Sequence, residues 1–421
     1  MSLPRVLVVS HGHPDLSKGG AEVAAYNLFR GLRDKGAEAL FLARVDQPSH
    51  GGSTFSARAP NELLFHTGMR DFFNFRIAQA EHAWRDFRDL LERFRPDVIH
   101  FHHYVHLGLE LISVARATCP SACIAVTLHE YLALCNNNGQ MVKTDGTLCH
   151  ASTPFDCARC FTNHSPADFF LRNQLIKNAF RAVDLFVAPS AFLKDRYVKW
   201  GLEEERIVIL ENGHAAVEPP CPRPLGEHGV RGRFAYFGQM NPYKGIDVLL
   251  KAFSMLDEET REVVHLDIYG ANLSNQAPEF REPVEALLES LDDVVTMHGP
   301  YKHEELGTLM ANVDWVVMPS TWWENSPMVI QEAFSYRRPV ICADIGGMAE
   351  KVSHGVNGIH FRSRSARNLA DTVRRASSDE QLWNQLVTGI TPPPTVEAIT
   401  DAHLDRYVFG ERRPSTKLRA G

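Results

Sequence analysis

Short apolar runs alternate with amphipathic segments along most of the chain. The first run, Val6–Ser10, leads through glycines into a stretch whose apolar residues recur at helical spacing, and a second run spans Ala39–Val45. Further apolar runs with the same strand-like character are 96–102, 122–129, 184–190 and 206–213. Short strands that alternate with helices predict a parallel sheet with helices on both faces.

The alternation is interrupted once and then resumes. A cluster of prolines between 219 and 224, with Gly226 and Gly229, predicts a linker over residues 214–230. The predicted strands after it are 234–238, 264–270, 294–299, 315–320 and 339–345. Three prolines at 392–394 end this second set, and a helical pattern over 396–407 closes the chain. The sequence therefore predicts an α/β fold with two doubly wound, Rossmann-like parallel sheets that face each other across a cleft.

Composition and charge narrow the function classes. The 421 residues exceed what one hydrophobic core usually serves, which agrees with two domains. The formal net charge is −7 and no basic run occurs, so no nucleic acid partner is expected. The start of the chain lacks signal-peptide features, and no apolar segment approaches the ~20 residues that cross a bilayer. We therefore expect a cytoplasmic protein; the pattern does not indicate its oligomeric state.

Aromatic and basic residues are concentrated in residues 65–76. They include Phe72, Phe73 and Phe75 together with Arg70 and Arg76. Such a segment is expected either to contact the inner face of the cell membrane peripherally or to form an amphipathic helix packed on the first sheet.

The most informative segment is 321–333, with the sequence TWWENSPMVIQEA. It follows an apolar run and contains a helix start at Ser326 and Pro327, which is how α/β proteins present backbone N–H groups to a phosphate. Glu324 lies before that helix start and Glu332 about one turn inside the helix, so the two carboxylates would flank an anion. Carboxylates that accept from hydroxyls, beside amides that bind a diphosphate, indicate a sugar nucleotide.

Four cysteines fall within a polar segment that follows His129. In a chain without export signals, clustered cysteines that end in a C-x₂-C pair are more often metal ligands than disulfides. A structural zinc is therefore expected at this loop, with His150 or His164 as an alternative ligand. Four reduced thiols packed in a loop and an iron–sulfur cluster remain the alternatives. The expected ligands are Cys135, Cys149, Cys157 and Cys160.

Three further histidines, His100, His102 and His103, follow an apolar run. Strand alternation puts His103 opposite the other two, so we interpret them as polar residues at a strand end, with His103 near the acceptor, and not as a metal set.

With these motifs in order, the chain resembles a GT-B glycosyltransferase of the retaining glycosyltransferase family 4 type, in a bacterial form with a cysteine-rich loop. The resemblance spans nearly the whole chain. It implies an acceptor-side N-terminal domain over 1–213, joined by the closing helix 395–410, and a donor-binding domain over 231–390. The motifs that carry it are Gly19-Gly20-Ala21-Glu22, His129, Pro189-Ser190, Asn212-Gly213, Phe237-Gly238, Lys244-Gly245, Glu324 with Glu332, Gly346-Gly347 and Asn357-Gly358.

The resemblance assigns the donor-binding roles in the second domain. Lys244 resembles the residue that binds the donor diphosphate, and Glu332 the carboxylate that accepts from the ribose hydroxyls. Glu324 resembles the residue that contacts the transferred sugar, with the loop amides of Asn325 and Ser326 beside it.

In the first domain, Gly19 and Gly20 resemble the glycines that approach the phosphate, and His129 resembles the histidine near the donor sugar. Gly238 and Gln239 occupy the end of the second domain's first strand, where many relatives have an arginine after the glycine. Gln239 therefore shifts diphosphate neutralisation toward Lys244 and backbone amides. Catalysis is assigned to His129, Lys244 and Glu324.

The implied reaction moves a sugar from a nucleotide-diphosphate sugar to an acceptor hydroxyl with retention of configuration. The departing phosphate acts as the base for that hydroxyl, so no carboxylate nucleophile and no catalytic cofactor are required. The expected acceptor is a saccharide, and a lipid-linked saccharide of surface-polysaccharide assembly by analogy. Two alternatives stay open: a sugar-nucleotide epimerase or hydrolase of similar fold, and a non-catalytic partner that binds nucleotide sugars or docks another protein.

Overall fold

The computed structural model describes two compact units, each with its own sheet. The first unit comprises the described residues of Met1–Gly213 and of Pro394–Gly421, and the second is His214–Pro393. The described residues are 3–17, 19–47, 52–225 and 229–407. Gly226 of the predicted linker and residues 408–410 of the predicted closing helix lie outside them.

Eight described strands form the sheet of the first unit. Numbered in chain order, the strands lie across the sheet as tenth, ninth, eighth, seventh, first, second, fourth and third. Neighbouring strands pair in parallel, except the third and fourth strands, which are antiparallel to each other. The fifth and sixth form a separate antiparallel hairpin. The strands are β1 (Val6–Ser10), β2 (Ala39–Val45), β3 (Phe55–Ala59), β4 (Glu62–His66), β5 (Met69–Asp71), β6 (Arg76–Ile77), β7 (Val98–Phe101), β8 (Cys123–Thr127), β9 (Leu185–Ala188) and β10 (Ile207–Ile209).

The central strands β1, β7, β8 and β9 are buried along their whole length, as expected where helices cover both faces. The helices of this unit before the linker are α1 (Gly20–Asp34), α2 (Ala80–Phe94), α3 (Glu110–Thr118), α4 (Pro154–Cys160), α5 (Pro166–Phe180) and α6 (Ala191–Trp200).

The second unit has a parallel sheet in the order β13-β12-β11-β14-β15-β16. Its strands are β11 (Arg233–Gln239), β12 (His265–Ala271), β13 (Val295–Met297), β14 (Trp315–Met318), β15 (Val340–Ala343) and β16 (Gly358–Phe361). Its helices are α7 (Ile246–Ser254), α8 (Glu258–Val263), α9 (Pro278–Ser290), α10 (Leu306–Ala311), α11 (Met328–Ser335), α12 (Gly346–Lys351), α13 (Ala366–Ser378) and α14 (Glu380–Gly389). The predicted class, α/β with two Rossmann-like parallel sheets, is confirmed.

The last helix of the described chain, α15 (Val396–Arg406), returns to the first unit and packs on α1. Gly31 of α1 makes the close approach, because a Cβ there would lie 2.1 Å from Thr400 Oγ1. Lys35 at the end of α1 pairs with Asp401 over 2.7 Å. The first unit is thereby completed by residues that are distant in sequence.

The predicted linker contains residues bound to the second unit. Arg223 donates two hydrogen bonds to Asp314 Oδ2, at 2.9 and 2.7 Å, and Arg231 lies 3.4 Å from Asp314 Oδ1. Two arginines on one buried carboxylate tie this proline-rich segment to the start of β14.

The prediction of an amphipathic helix over 65–76 is wrong. This segment contains the end of β4 and the hairpin of β5 and β6. Phe75 is fully buried at a φ of 58°, and the Arg172 guanidinium lies 4.8 Å from its ring centre. The aromatic residues therefore serve the packing of a tight hairpin. No helix in the described ranges is long and apolar enough to cross a membrane.

Candidate functional site

The site of the second unit is built where β14 ends. This strand is buried along its whole length, and a polar turn leads from it to α11, whose N-cap is Pro327. The first backbone N–H groups of a helix have no partner within the helix and carry partial positive charge. The sequence motif 321–333 therefore has the strand–turn–helix geometry that was expected of an anion site.

Two glycines allow neighbouring backbones to hold this turn. A Cβ on Gly245, which caps α7 at a φ of 70°, would lie 2.0 Å from Pro319 O. A Cβ on Gly347 would lie 1.6 Å from Asn325 O, and the Gly347 N–H donates to Glu324 O over 2.7 Å. Any larger residue at either position would push the turn out of place.

One oxygen of Glu324 accepts three hydrogen bonds. Oε1 receives Lys244 Nζ at 2.6 Å, Ser320 Oγ at 2.8 Å and Trp322 Nε1 at 2.8 Å. The Glu324 side chain is 9% exposed, whereas that of Lys244 is 27% exposed. The carboxylate is therefore fixed within the turn, and the ammonium that neutralises it still reaches solvent.

Lys244 is held from both ends. Its backbone N–H donates to Asn241 Oδ1 over 3.2 Å, and its ammonium pairs with Glu324. An ammonium has three N–H donors, so this pairing leaves donors for an anion. A second cation contacts the same turn, because Arg364 Nη2 donates to Thr321 O over 3.2 Å.

Gly238 and Gln239 lie at the end of β11. Gly238 has a φ of 151°, in the region that favours glycine, and the Tyr236 hydroxyl donates to Gln239 O over 2.6 Å. The Gln239 side chain is exposed and contributes no charge. At this end of the sheet, the described cations that contact the turn are Lys244 and Arg364.

Glu332 lies in the second turn of α11, with 11% of its side chain exposed. Burial raises the pKa of its carboxyl, and His303, whose Nδ1 is 3.7 Å from Oε1, opposes that shift. The Glu332 charge in turn contributes, after burial, to raising the pKa of Tyr301 and Tyr336. A buried carboxylate beside tyrosines and an exposed histidine suits the recognition of ligand hydroxyls.

The two loop residues assigned to the donor are tied into the turn. Ser326 Oγ accepts from Gln331 Nε2 over 2.7 Å, and the side-chain amide oxygen Oε1 of Gln331 is hydrogen-bonded to His214 Nε2. Asn325 is the residue whose carbonyl lies against Gly347. Both therefore have fixed backbones at the start of α11.

In the first unit, Gly19 caps α1 and Gly20 begins it. A Cβ on Gly19 would lie 2.3 Å from Glu22 Oε2, so a glycine here makes room for the buried Glu22 carboxylate. Glu22 Oε1 accepts from Ser17 Oγ over 2.7 Å and lies 3.4 Å from His11 Nε2. The packing of Glu22 thus explains Gly19, and the phosphate role of the glycine pair stays a prediction.

His129 follows β8, is half-buried, and lies beside buried histidines. Its Nε2 lies 3.1 Å from His102 Nδ1, and the two rings stack. Burial lowers the pKa of His129 to about 3 and that of His403 to about 4, and holds the pKa of His102 well below its usual range. These imidazoles are therefore neutral near pH 7 and act as hydrogen-bonding groups without charge.

The three histidines around β7 separate as their alternation predicted. His100 lies between Tyr407 OH at 2.8 Å and Thr127 Oγ1 at 2.7 Å, and it neighbours His102. His103 instead packs on His11, with ring centres 4.1 Å apart, and its Nε2 lies 3.6 Å from Glu130 Oε1.

Burial raises the pKa of the Cys157 thiol to about 12, and the thiols of Cys135, Cys149 and Cys160 add smaller contributions in the same direction. Cys149 donates its thiol to Ala151 O over 3.3 Å, and Cys157 and Cys160 lie on α4. In the part of the chain that the structure describes, no group of three or more His, Cys, Asp or Glu side chains is arranged to hold a metal ion. As placed, Cys135, Cys149, Cys157 and Cys160 do not form a ready zinc site.

Sequence reasoning missed several side chains that complete the donor-side arrangement. Ser320 and Trp322 belong to the motif itself, but only the folded turn shows that both donate to Glu324. Arg364 and His303 lie outside every quoted motif, and nothing in the local pattern marks them.

The buried histidines predict acid sensitivity of the first unit. Between pH 6.5 and about 4, the unfolded chain takes up protons at His106, His129 and His403 that the folded chain refuses. Acidification through this window therefore lowers the free energy of unfolding, by about 1.4 kcal/mol per pH unit for each such histidine. Urea unfolding between pH 7.5 and 4.5 measures it. A slope that does not differ between wild type and His403→Asn would contradict the expectation.

The comparison with a variant is needed because Glu130 acts in the opposite direction. Burial raises the pKa of its carboxyl to about 8, so its contribution to stability is lost as pH rises from 4.5 through 8. Both wild type and His403→Asn contain Glu130, so its contribution cancels when the slope of one protein is subtracted from that of the other.

Two family models match the chain, one for each sheet. Residues 18–215 match Glycosyltransferase Family 4, and residues 223–389 match Glycosyl transferases group 1. The D-inositol 3-phosphate glycosyltransferase of Arthrobacter sp. (strain FB24) is 29% identical over 388 residues, which cover 86% of this chain and 82% of that protein. The lipopolysaccharide 1,2-N-acetylglucosaminetransferase of Salmonella typhimurium (strain LT2) is 27% identical over 206 residues, 46% of this chain and 53% of that protein.

Solved structures match in fold over nearly the whole chain. Anabaena HepE in complex with UDP and glucose has a TM-score of 0.66 at 17% identity, with 96% of this chain and 98% of that chain covered. The sucrose-phosphate synthase of Thermosynechococcus elongatus has a TM-score of 0.67 at 16% identity, with 94% of each chain covered. Two family matches in series, which together span most of the chain, and these likenesses lead to one conclusion: the chain is a glycosyltransferase with the GT-B fold, whose first unit matches Glycosyltransferase Family 4 and whose second unit matches Glycosyl transferases group 1.

Proposed function

We propose that the protein is a retaining glycosyltransferase that moves a sugar from a nucleotide-diphosphate sugar to a hydroxyl of a saccharide acceptor. The observation that supports it most directly is the turn in which Lys244, Ser320 and Trp322 all donate to Glu324 Oε1. This arrangement brings together a solvent-reaching cation, a fixed carboxylate and a helix N-terminus. These three kinds of group suit the charge and the hydroxyls of a sugar diphosphate.

In the proposed complex, Lys244 keeps one N–H on Glu324 and directs the others at the diphosphate. Cleavage of the sugar–phosphate bond builds negative charge on the leaving oxygens. A cation already fixed by Glu324 stabilises that charge without reorganising, which lowers the barrier more than it strengthens ground-state binding. The second oxygen of Glu324 accepts from a hydroxyl of the transferred sugar, and Glu332 accepts from the ribose.

The names of similar proteins support the substrate class. One solved neighbour contains UDP with glucose, and the two sequence relatives named above transfer sugars to inositol phosphate and to lipopolysaccharide. We propose a lipid-linked saccharide of surface-polysaccharide assembly as the acceptor. Peripheral contact with the inner face of the cell membrane and a cytoplasmic location stay predictions.

The proposed reaction requires no cofactor, because Lys244, Arg364 and backbone amides neutralise the diphosphate. Structural zinc in the cysteine loop is a separate proposal, for which the thiols must lose their protons and converge from the positions described above. Metal analysis of the purified protein decides it: about one zinc per chain supports the proposal, and a stoichiometry far below one removes it.

The activity is tested by incubating the protein with a panel of nucleotide sugars and measuring nucleotide release with and without lipid-linked saccharides. The anomeric configuration of the product, read by NMR, distinguishes retention from inversion. Measurable nucleotide binding without release from any donor would favour a non-catalytic binding partner.

Lys244→Ala is expected to lower kcat roughly hundred- to thousandfold, the usual effect of removing one group that stabilises transition-state charge, with a smaller change in donor KM. The matched control is Lys251→Ala, on the α7 helix that follows Lys244, where the lysine pairs with Asp247 on the surface. Equal kcat values for wild type and Lys244→Ala would refute the assigned role.

Glu332→Ala is expected to weaken donor binding roughly ten- to hundredfold, because it removes hydrogen bonds to a charged acceptor. Titration calorimetry with the nucleotide measures this, and Glu285→Ala, an exposed glutamate paired with Arg281, is the control. Unchanged affinity in Glu332→Ala would show that the ribose is bound elsewhere.

A further inference from the structure

A small cavity lies behind the buried histidines of the first unit. Its volume is about 20 Å³, which accommodates one water molecule. Strand residues, the segment that follows β10 and the last helix all contribute to its wall. Its lining includes His102, Asn212, Ile399 and His403.

Two of the lining rings each carry a buried nitrogen without a partner among the described residues. These atoms are His102 Nε2 and His403 Nδ1. His102 is 3% exposed and His403 is 4% exposed. A buried imidazole nitrogen that makes no hydrogen bond is destabilising, and one water molecule in this cavity could bond to both nitrogens.

His102 connects the cavity to His129. Its Nδ1 lies 3.1 Å from His129 Nε2, on the opposite side of the ring from the unpartnered Nε2. The orientation of His102 therefore determines whether its Nδ1 meets His129. A partner for Nε2 in the cavity would hold that orientation.

We propose that a buried water in this cavity bridges His102 Nε2 and His403 Nδ1, and that His102 and His403 are positioning residues that hold the imidazole of His129. Asn212 in the cavity wall offers a further polar group to the water, which needs two to four partners. The inference rests on the proposed function only in so far as His129 serves the reaction.

The groups that face these rings favour orientation over proton transport. His100 lies with its ring centre 5.2 Å from that of His403 and contacts Tyr407 and Thr127. Burial lowers the pKa values of His100, His102, His129 and His403, so each remains neutral at working pH. These neutral imidazoles can orient one another through hydrogen bonds, and none of them carries a charge.

The first arm of the test is a high-resolution crystal structure of the full chain. We expect one ordered water within hydrogen-bond distance of both His102 Nε2 and His403 Nδ1. An empty cavity, or a water that contacts neither nitrogen, would overturn the proposal. This arm does not depend on enzymatic activity, so its outcome separates this inference from the proposed function.

The second arm compares three variants in the transferase assay. His403→Leu removes the nitrogen while keeping a large apolar side chain. It is expected to lower kcat roughly ten- to hundredfold, the range that misorientation of a catalytic group produces, with donor KM changed less than about twofold. His403→Asn places a polar atom near the position of Nδ1 and is expected to restore kcat to within about threefold of wild type.

The packing control is Ile399→Val, because Ile399 lines the same cavity without a hydrogen-bonding side chain. We expect its kcat to equal that of wild type. If His403 had only a structural role, kcat of His403→Leu would fall together with its thermal stability, and His403→Asn would not restore kcat. Full activity of His403→Leu, or equal losses in His403→Leu and His403→Asn, would refute the positioning role.

Discussion

The donor-side geometry depends on two places where a glycine lets one backbone touch another. Gly245 permits the start of α7 to approach Pro319, and Gly347 permits the start of α12 to approach Asn325. The turn between them carries Ser320, Trp322 and Glu324, which explains how donors from the turn and from the segment before α7 converge on one carboxylate oxygen. A flexible turn would have to order itself when the ligand binds, and the conformational entropy lost would be subtracted from the affinity.

The positive charge at this turn comes from few side chains. Gln239 supplies no cation where many relatives have an arginine, so Lys244 serves both the internal carboxylate and the proposed diphosphate. Arg364, which contacts the turn through Thr321 O, adds a second positive charge from a different part of the sheet. The pair of Lys244 with Glu324 therefore acts mainly as a positioning device. Its contribution to stability is small, since the lysine is partly exposed and water screens the pair.

Patterns in the sequence predicted what is local and regular. Buried parallel strands such as β1, β8 and β14 are short apolar runs, and their ends place Glu324 and His129 at polar turns. The hairpin of β5 and β6 was mistaken for a helix because its strands span three and two residues, too few for a period of two to emerge. His102 and His403 line one cavity although they lie far apart in sequence, and no local pattern encodes such a meeting. Similarly, Gly19 resembled a phosphate-binding glycine, whereas the folded chain shows that it also makes room for Glu22.

The two units differ in the kind of polarity that they bring to the proposed reaction. The second unit presents a lysine, an arginine and two carboxylates, which suit a ligand that carries charge and gains more of it as the bond breaks. Around His129 the first unit presents imidazoles that burial keeps neutral. A protonated histidine there would have to be stabilised against the cost of burying a charge. A neutral one avoids that cost and can still donate a hydrogen bond to a sugar hydroxyl or accept one from it.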